Sequence, residues 1–172
     1  CVDAATAIAQ GADDLQQTAW VEVGFSSGYD AATFKRPDLD LALVVDRSGS
    51  MTGAKIEAAR AALRKAVSQL GERDRLSIVL FDDQVDVLVA PTFVSSATKE
   101  AVLSKIDSIE ARAATDFERG LTKGFELVGQ DLASTTRSHR VMLFTDALPN
   151  TGRTDPASFV GLAKTWASKG VG

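Results

Sequence analysis

The chain has 172 residues, enough for one domain with a full core and short for two, and its 45% hydrophobic and 24% charged residues suit a folded globular protein rather than a disordered one. Its formal net charge of -4, with no Lys/Arg run longer than two residues, argues against a nucleic-acid partner, because phosphate binding needs a concentrated positive surface. No apolar run approaches the roughly 18 residues that a membrane span requires, so contact with a bilayer calls for an added anchor.

Cys1 is the single cysteine, which excludes an internal disulfide framework and removes the soft ligands that zinc favours. The chain does not begin with Met, and a processed chain starting on Cys resembles a bacterial lipoprotein after removal of its signal peptide. That resemblance implies a lipid on Cys1 and an extracytoplasmic domain tethered to a membrane, at the cell surface or in the periplasm. The competing reading is a chain boundary that happens to fall on a cysteine. Residues 1–17 are rich in Ala, Gln and Asp with weak periodicity, the composition of a leader or tether. Residues 18–37 hold Trp20, Val21, Val23 and Phe25, an extra strand outside the main domain, and then a connection bracketed by Gly28 and Pro37.

From residue 38 to 172, short apolar runs alternate with helical periods. This predicts an α/β fold that is doubly wound, with a mainly parallel sheet covered by helices on both faces. Leu41 to Val45, Leu76 to Phe81 and Val141 to Thr145 are the expected buried strands. Between the first two, Ile56, Leu63, Val67 and Leu70 fall on one helical face, and Gly71 can stop that helix. Asp82-Asp83-Gln84 turns the chain into a short antiparallel edge strand from Val85 to Val89, which Pro91 should end. Two helices follow, one burying Val102, Leu103, Ile106 and Ile109, the other Phe117, Leu121, Phe125 and Val128. Asp155 and Pro156 form a cap-and-start pair for a last helix that buries Phe159, Leu162, Ala163 and Trp166. His139, at the start of the third strand, is expected at the surface or as a cap.

The first strand runs into Asp46-Arg47-Ser48-Gly49-Ser50, which places a carboxylate and two hydroxyls where ligands gather, at the carboxyl ends of parallel strands. Gly49 should let the backbone turn so that both serines face a common centre. Such hard oxygen donors suit Mg²⁺, Mn²⁺ or Ca²⁺ rather than zinc or copper. This segment resembles the Asp-x-Ser-x-Ser motif of the metal-ion-dependent adhesion site in von Willebrand factor A domains. Ala114-Thr115-Asp116 resembles the loop carrying that family's threonine ligand, and Phe144-Thr145-Asp146-Ala147 its Thr-Asp-Gly element, over a span from Leu39 to Gly172. The resemblance implies the Rossmann-like fold of the family, with Ser48 and Ser50 binding the metal directly and Thr115, Asp46 and Asp146 binding directly or through water. The run Leu39 to Met51 is most similar to bacterial surface and secreted members. Arg112-Ala113-Ala114 stands where many members have glycines, and Ala147 replaces the common glycine after Asp146.

What this implies is a binding or adhesion module that takes an Asp or Glu of a protein partner on its metal, and no enzyme. A structural subunit of a membrane-associated envelope complex is the alternative. A metal-assisted hydrolase would need a general base, and Asp82, Asp83 and Asp116 read more simply as turn or capping residues. Family members continue the sheet after the helix that starts near Asp155, so the expectation is that residues beyond Gly172, or a neighbouring chain, cover the free edge of the third strand.

Overall fold

The computed structural model describes residues 2–8, 19–25, 35–112, 116–133, 136–146 and 156–172. The chain divides into two units, Cys1–Arg36 and Pro37–Gly172. In the first, strands β1 (Val2–Ile8) and β2 (Ala19–Phe25) pair antiparallel, with Val2 opposite Phe25 and Ile8 opposite Ala19. Strand β2 is the one expected around Trp20. Strand β1 corrects the reading of residues 1–17 as tether alone: Val2–Ile8 is weakly patterned by itself, and the ladder with β2 gives its backbone groups their partners.

The second unit holds a four-stranded sheet in the order β5-β4-β3-β6, built from β3 (Asp38–Asp46), β4 (Arg75–Phe81), β5 (Val85–Phe93) and β6 (Arg137–Phe144). Strand β3 runs parallel to both β4 and β6, with Leu43 opposite Ile78 on one side and Met142 on the other. Only β5 is antiparallel, against β4. The period of two divides the strand side chains between two cores. Leu41, Leu43 and Val45 join Leu76, Ile78 and Leu80 beneath α1 (Ala54–Gln69) and α2 (Ser96–Asp107), which contribute Ile56, Leu63, Val67, Val102 and Ile106. On the opposite face Ala42, Val44, Val79 and Phe81 meet α3 (Phe117–Gly129), and α4 (Pro156–Ala167) adds Leu162 and Trp166. This is the doubly wound, mainly parallel architecture expected.

Helix α3 lies close against the sheet because two of its core-facing positions have no side chain. A Cβ at Gly120 would sit 2.5 Å from Phe81 Cγ, and one at Gly124 would sit 2.3 Å from Val44 Cγ2. Trp166 of α4 stacks on Phe125 with ring centroids 5.4 Å apart.

Several local readings are corrected. Pro91 does not end the edge strand, which continues to Phe93. It falls where the register with β4 is irregular, between the Leu76–Thr92 and Ile78–Val89 pairs, and on an edge a missing N–H costs no inner ladder bond. Strand β6 is half-buried rather than buried, with Met142 exposed, because it lies outermost of the four. Its outer side receives the chain end: Gly172 N donates to His139 O at 3.0 Å and Val141 N to Gly172 O at 2.8 Å, so Val171 pairs parallel with His139. His139 itself is buried, with Nδ1 3.7 Å from Asp40 Oδ2, and not a surface or capping residue. Ala163 is exposed on α4, beyond the stripe formed by Phe159, Leu162 and Trp166. Asp155 lies outside the described residues.

Candidate metal centre

The parallel register brings the carboxyl ends of β3, β4 and β6 together, since Asp46 pairs with Phe81 and Val45 with Phe144. Whatever follows these three strands therefore meets at one end of the sheet: Ser48 and Ser50 after β3, Asp82 after β4, Thr145 and Asp146 after β6.

Asp46 is fully buried. One of its oxygens accepts the Ser48 N–H at 2.8 Å and the other the Thr145 hydroxyl at 2.6 Å, so this carboxylate joins the ends of β3 and β6. A 3-10 turn, Gly49–Met51, follows, with Met51 anchored in the core and Thr52 Oγ1 donating to Gly49 O at 2.6 Å. The residue with positive φ here is Gly53 (φ 74), which joins this turn to α1 as its N-cap. The turn brings Ser48 Oγ within 3.1 Å of Ser50 Oγ, and Ser50 Oγ donates to Asp146 Oδ1 at 2.9 Å. Lys55 Nζ, from the first turn of α1, donates to Asp146 Oδ2. The Lys55 hydrogen bond, with a smaller contribution from Ser50, holds the Asp146 carboxyl below the ordinary carboxylate range despite slight desolvation.

Four of the five expected ligands thus converge. Thr115, with Ala113 and Ala114, lies outside the described residues, as do Ala147 and Cys1. The residues flanking Thr115 are tied to the same strand ends: Arg112 N donates to Arg47 O at 2.7 Å and Asp116 N to Asp82 O at 2.6 Å. As a donor set, two carboxylates and two hydroxyls fit a hard divalent cation. Among the described residues no group of three His, Cys, Asp or Glu side chains gathers as a metal site, so the hydroxyls are essential to any such fit.

Beneath the centre lies an ion-pair network that the motif alone does not reveal. Arg47 is the variable residue of Asp-x-Ser-x-Ser, yet it is buried, with Nε 2.7 Å from Asp82 Oδ2 and a second nitrogen on Asp86. Arg112 Nε reaches the same Asp82 oxygen at 3.0 Å, and Asp82 Oδ1 accepts the Gln84 N–H at 2.7 Å. Burial would raise the Asp82 carboxyl, but the Gln84 N–H and the hydrogen bond and charge of Arg47 outweigh it and hold it low. Asp116 caps α3 by accepting the Arg119 N–H at 3.2 Å. Both aspartates therefore have the turn and capping roles expected of them. The missed residues did leave one signal: a lysine in the first turn of a helix opposes the macrodipole and calls for a local reason.

The family model for the von Willebrand factor type A domain matches residues 41–148. Inter-alpha-trypsin inhibitor heavy chain H3 of Rattus norvegicus is 34% identical over 125 residues, covering 68% of this chain and 14% of that protein. The chain therefore spans only a small part of this relative's length. Among solved structures, a von Willebrand factor type A protein from Catenulispora acidiphila superposes with a TM-score of 0.65 at 16% identity, over 78% of this chain and 32% of that one. The pilus adhesin SpaC from Lactobacillus rhamnosus GG does so with a TM-score of 0.57 at 19% identity, over 67% and 16%.

Proposed function

The chain belongs to the von Willebrand factor type A domain family, and from that premise we propose that it is a metal-dependent protein-binding module, not an enzyme. Asp46, Ser48, Ser50 and Asp146, joined by Thr115, would hold a divalent cation, Mg²⁺ or else Mn²⁺ or Ca²⁺. The observation that carries this reading is the linked set of oxygens, Ser48 to Ser50 at 3.1 Å and Ser50 to Asp146 at 2.9 Å, at the carboxyl ends of parallel strands. When bound, the cation supplies a Lewis-acidic coordination position for a carboxylate oxygen of a partner Asp or Glu. The chain's own residues set the terms. The serine hydroxyls contribute oxygens without charge, Asp46 fixes the loop from beneath, and Asp146 presents a carboxylate that is ionised at neutral pH. Specificity would come from the loops around the centre.

An extracytoplasmic placement belongs to the same proposal, and its support is the likeness to a pilus adhesin. Attachment of a lipid to Cys1 is tested by intact mass measurement of the protein from its native source. For the binding function, we expect recovery of a partner from native membranes in Mg²⁺ and its loss in chelator, with Asp146→Asn behaving like chelator. A partner retained equally in all three conditions would overturn the metal-dependent reading and favour a structural subunit.

A further inference from the structure

Lys55 occupies a position that helix physics disfavours, in the first turn of α1, and its ammonium is spent on Asp146. The two oxygens of that carboxylate have separate partners. Oδ1 takes the Ser50 hydroxyl and faces the oxygen cluster, whereas Oδ2 takes Lys55 from the outer side. The Lys55 side chain is 58% exposed against 17% for that of Asp146, so the ammonium can move into water while the carboxylate stays in place. Asp46 and Asp146 bring two negative charges to the centre, and Lys55 reduces the total to one.

Resting on the metal reading above, we propose that Lys55 is the built-in counter-cation of the centre and sets its charge, and hence its affinity for a divalent cation. In the metal-free protein the ammonium neutralises and positions Asp146. With a divalent cation bound it opposes that ion, and the ion, two carboxylates and ammonium together leave the centre with one positive charge rather than none. A positive centre favours an incoming carboxylate, so Lys55 weakens the hold on the metal and strengthens the attraction for an acidic partner.

The test is calorimetric titration of the folded chain with Mg²⁺ and with Mn²⁺ alone, for the parent, Lys55→Arg, Lys55→Gln and Lys55→Glu. Lys55→Arg should bind as the parent does. Loss of a unit charge at this range in a partly aqueous setting should tighten binding in Lys55→Gln about 3- to 10-fold, and Lys55→Glu should bind tighter still. Added NaCl should compress the series. A flat series around a parent that binds metal, or weaker binding by Lys55→Gln, would overturn this inference and leave the metal centre standing. No binding by the parent or any variant would overturn the metal reading and this inference with it.

Discussion

Asp46, proposed above as a metal ligand, also holds the fold together at the ends of β3 and β6. It is fully buried and satisfies both the Ser48 N–H and the Thr145 hydroxyl. Asp46→Ala removes the buried acceptor of both groups and should cost about 1–3 kcal/mol of stability. Asp46→Asn keeps an acceptor for Ser48, and the Thr145 hydroxyl can rotate to accept from the new amide, so it should fold like the parent while losing divalent-metal affinity. Chemical denaturation and metal titration of the two variants separate these effects, and an unfolded Asp46→Asn would contradict the argument. Arg47 follows the same logic with charges. Arg47→Ala takes the buried cation from Asp82, leaving the half-exposed Arg112 and the Gln84 N–H, and should destabilise by about 3 kcal/mol. The meeting of Ser48, Ser50 and Asp146 was legible because the resemblance of two short motifs to those of the family singles these positions out. Arg47 was not, because a surface arginine and a buried one are written alike in a sequence, and only the position of Asp82, 35 residues away, distinguishes them.

At the scale of elements, the same substitution should have opposite signs in two helices. Gly120→Ala gains helix propensity, about 1 kcal/mol, but drives a methyl to 2.5 Å from the Phe81 ring, and overpacking of this kind costs about 1–3 kcal/mol. Gly124→Ala meets the buried Val44 at 2.3 Å and should also destabilise. Gly161, within α4, has nothing within 4 Å of the place a methyl would take, so Gly161→Ala should stabilise by about 0.5–1 kcal/mol. Urea midpoints for the three variants provide the check, and stabilisation by Gly120→Ala would refute the close approach of α3 to β4. The apolar periods announced α3 correctly through Phe117, Leu121, Phe125 and Val128. They were silent on the glycines between, whose importance lies in what is absent. Strands β3 and β4 were legible as apolar runs, Leu41 to Val45 unbroken and Leu76 to Phe81 interrupted by Ser77 alone, since both of their faces are covered. Strand β1 and the extension of β5 past Pro91 were not, because the ladder partner supplies what the local pattern lacks.

Among the described residues, buried ionisable side chains collect at the two ends of the four-stranded sheet. The carboxyl end holds Asp46 and Asp82, and the amino end holds Asp40 and His139. The aspartates at these ends should respond to acid in opposite directions. Burial, opposed by Arg75 and His139, pushes the Asp40 carboxyl above its ordinary value of 3.8, with Asp131 and Arg137 adding smaller effects of either sign. Folding therefore favours protonated Asp40. Its ionisation carries a penalty that is present in full above the raised folded value and is relieved as pH falls through that value toward 3.8. Asp82 and Asp146 are held low, so each contributes stability above 3.8 that is lost as pH falls through its depressed folded value. The contribution of Asp146 is the smaller because its carboxylate remains in contact with water. Starting from neutral pH, acidification should first relieve the strain at the amino end and then, below the ordinary carboxylate range, undo the anchor at the carboxyl end. A series of urea midpoints against pH isolates the first effect when the parent is subtracted from Asp40→Asn. The relative stability of the variant should grow as pH rises through the folded value of Asp40, then level off. A difference that shrinks with rising pH would mean that the ion pair with Arg75 outweighs the desolvation of Asp40, and that the charge at this end of the sheet supports the fold.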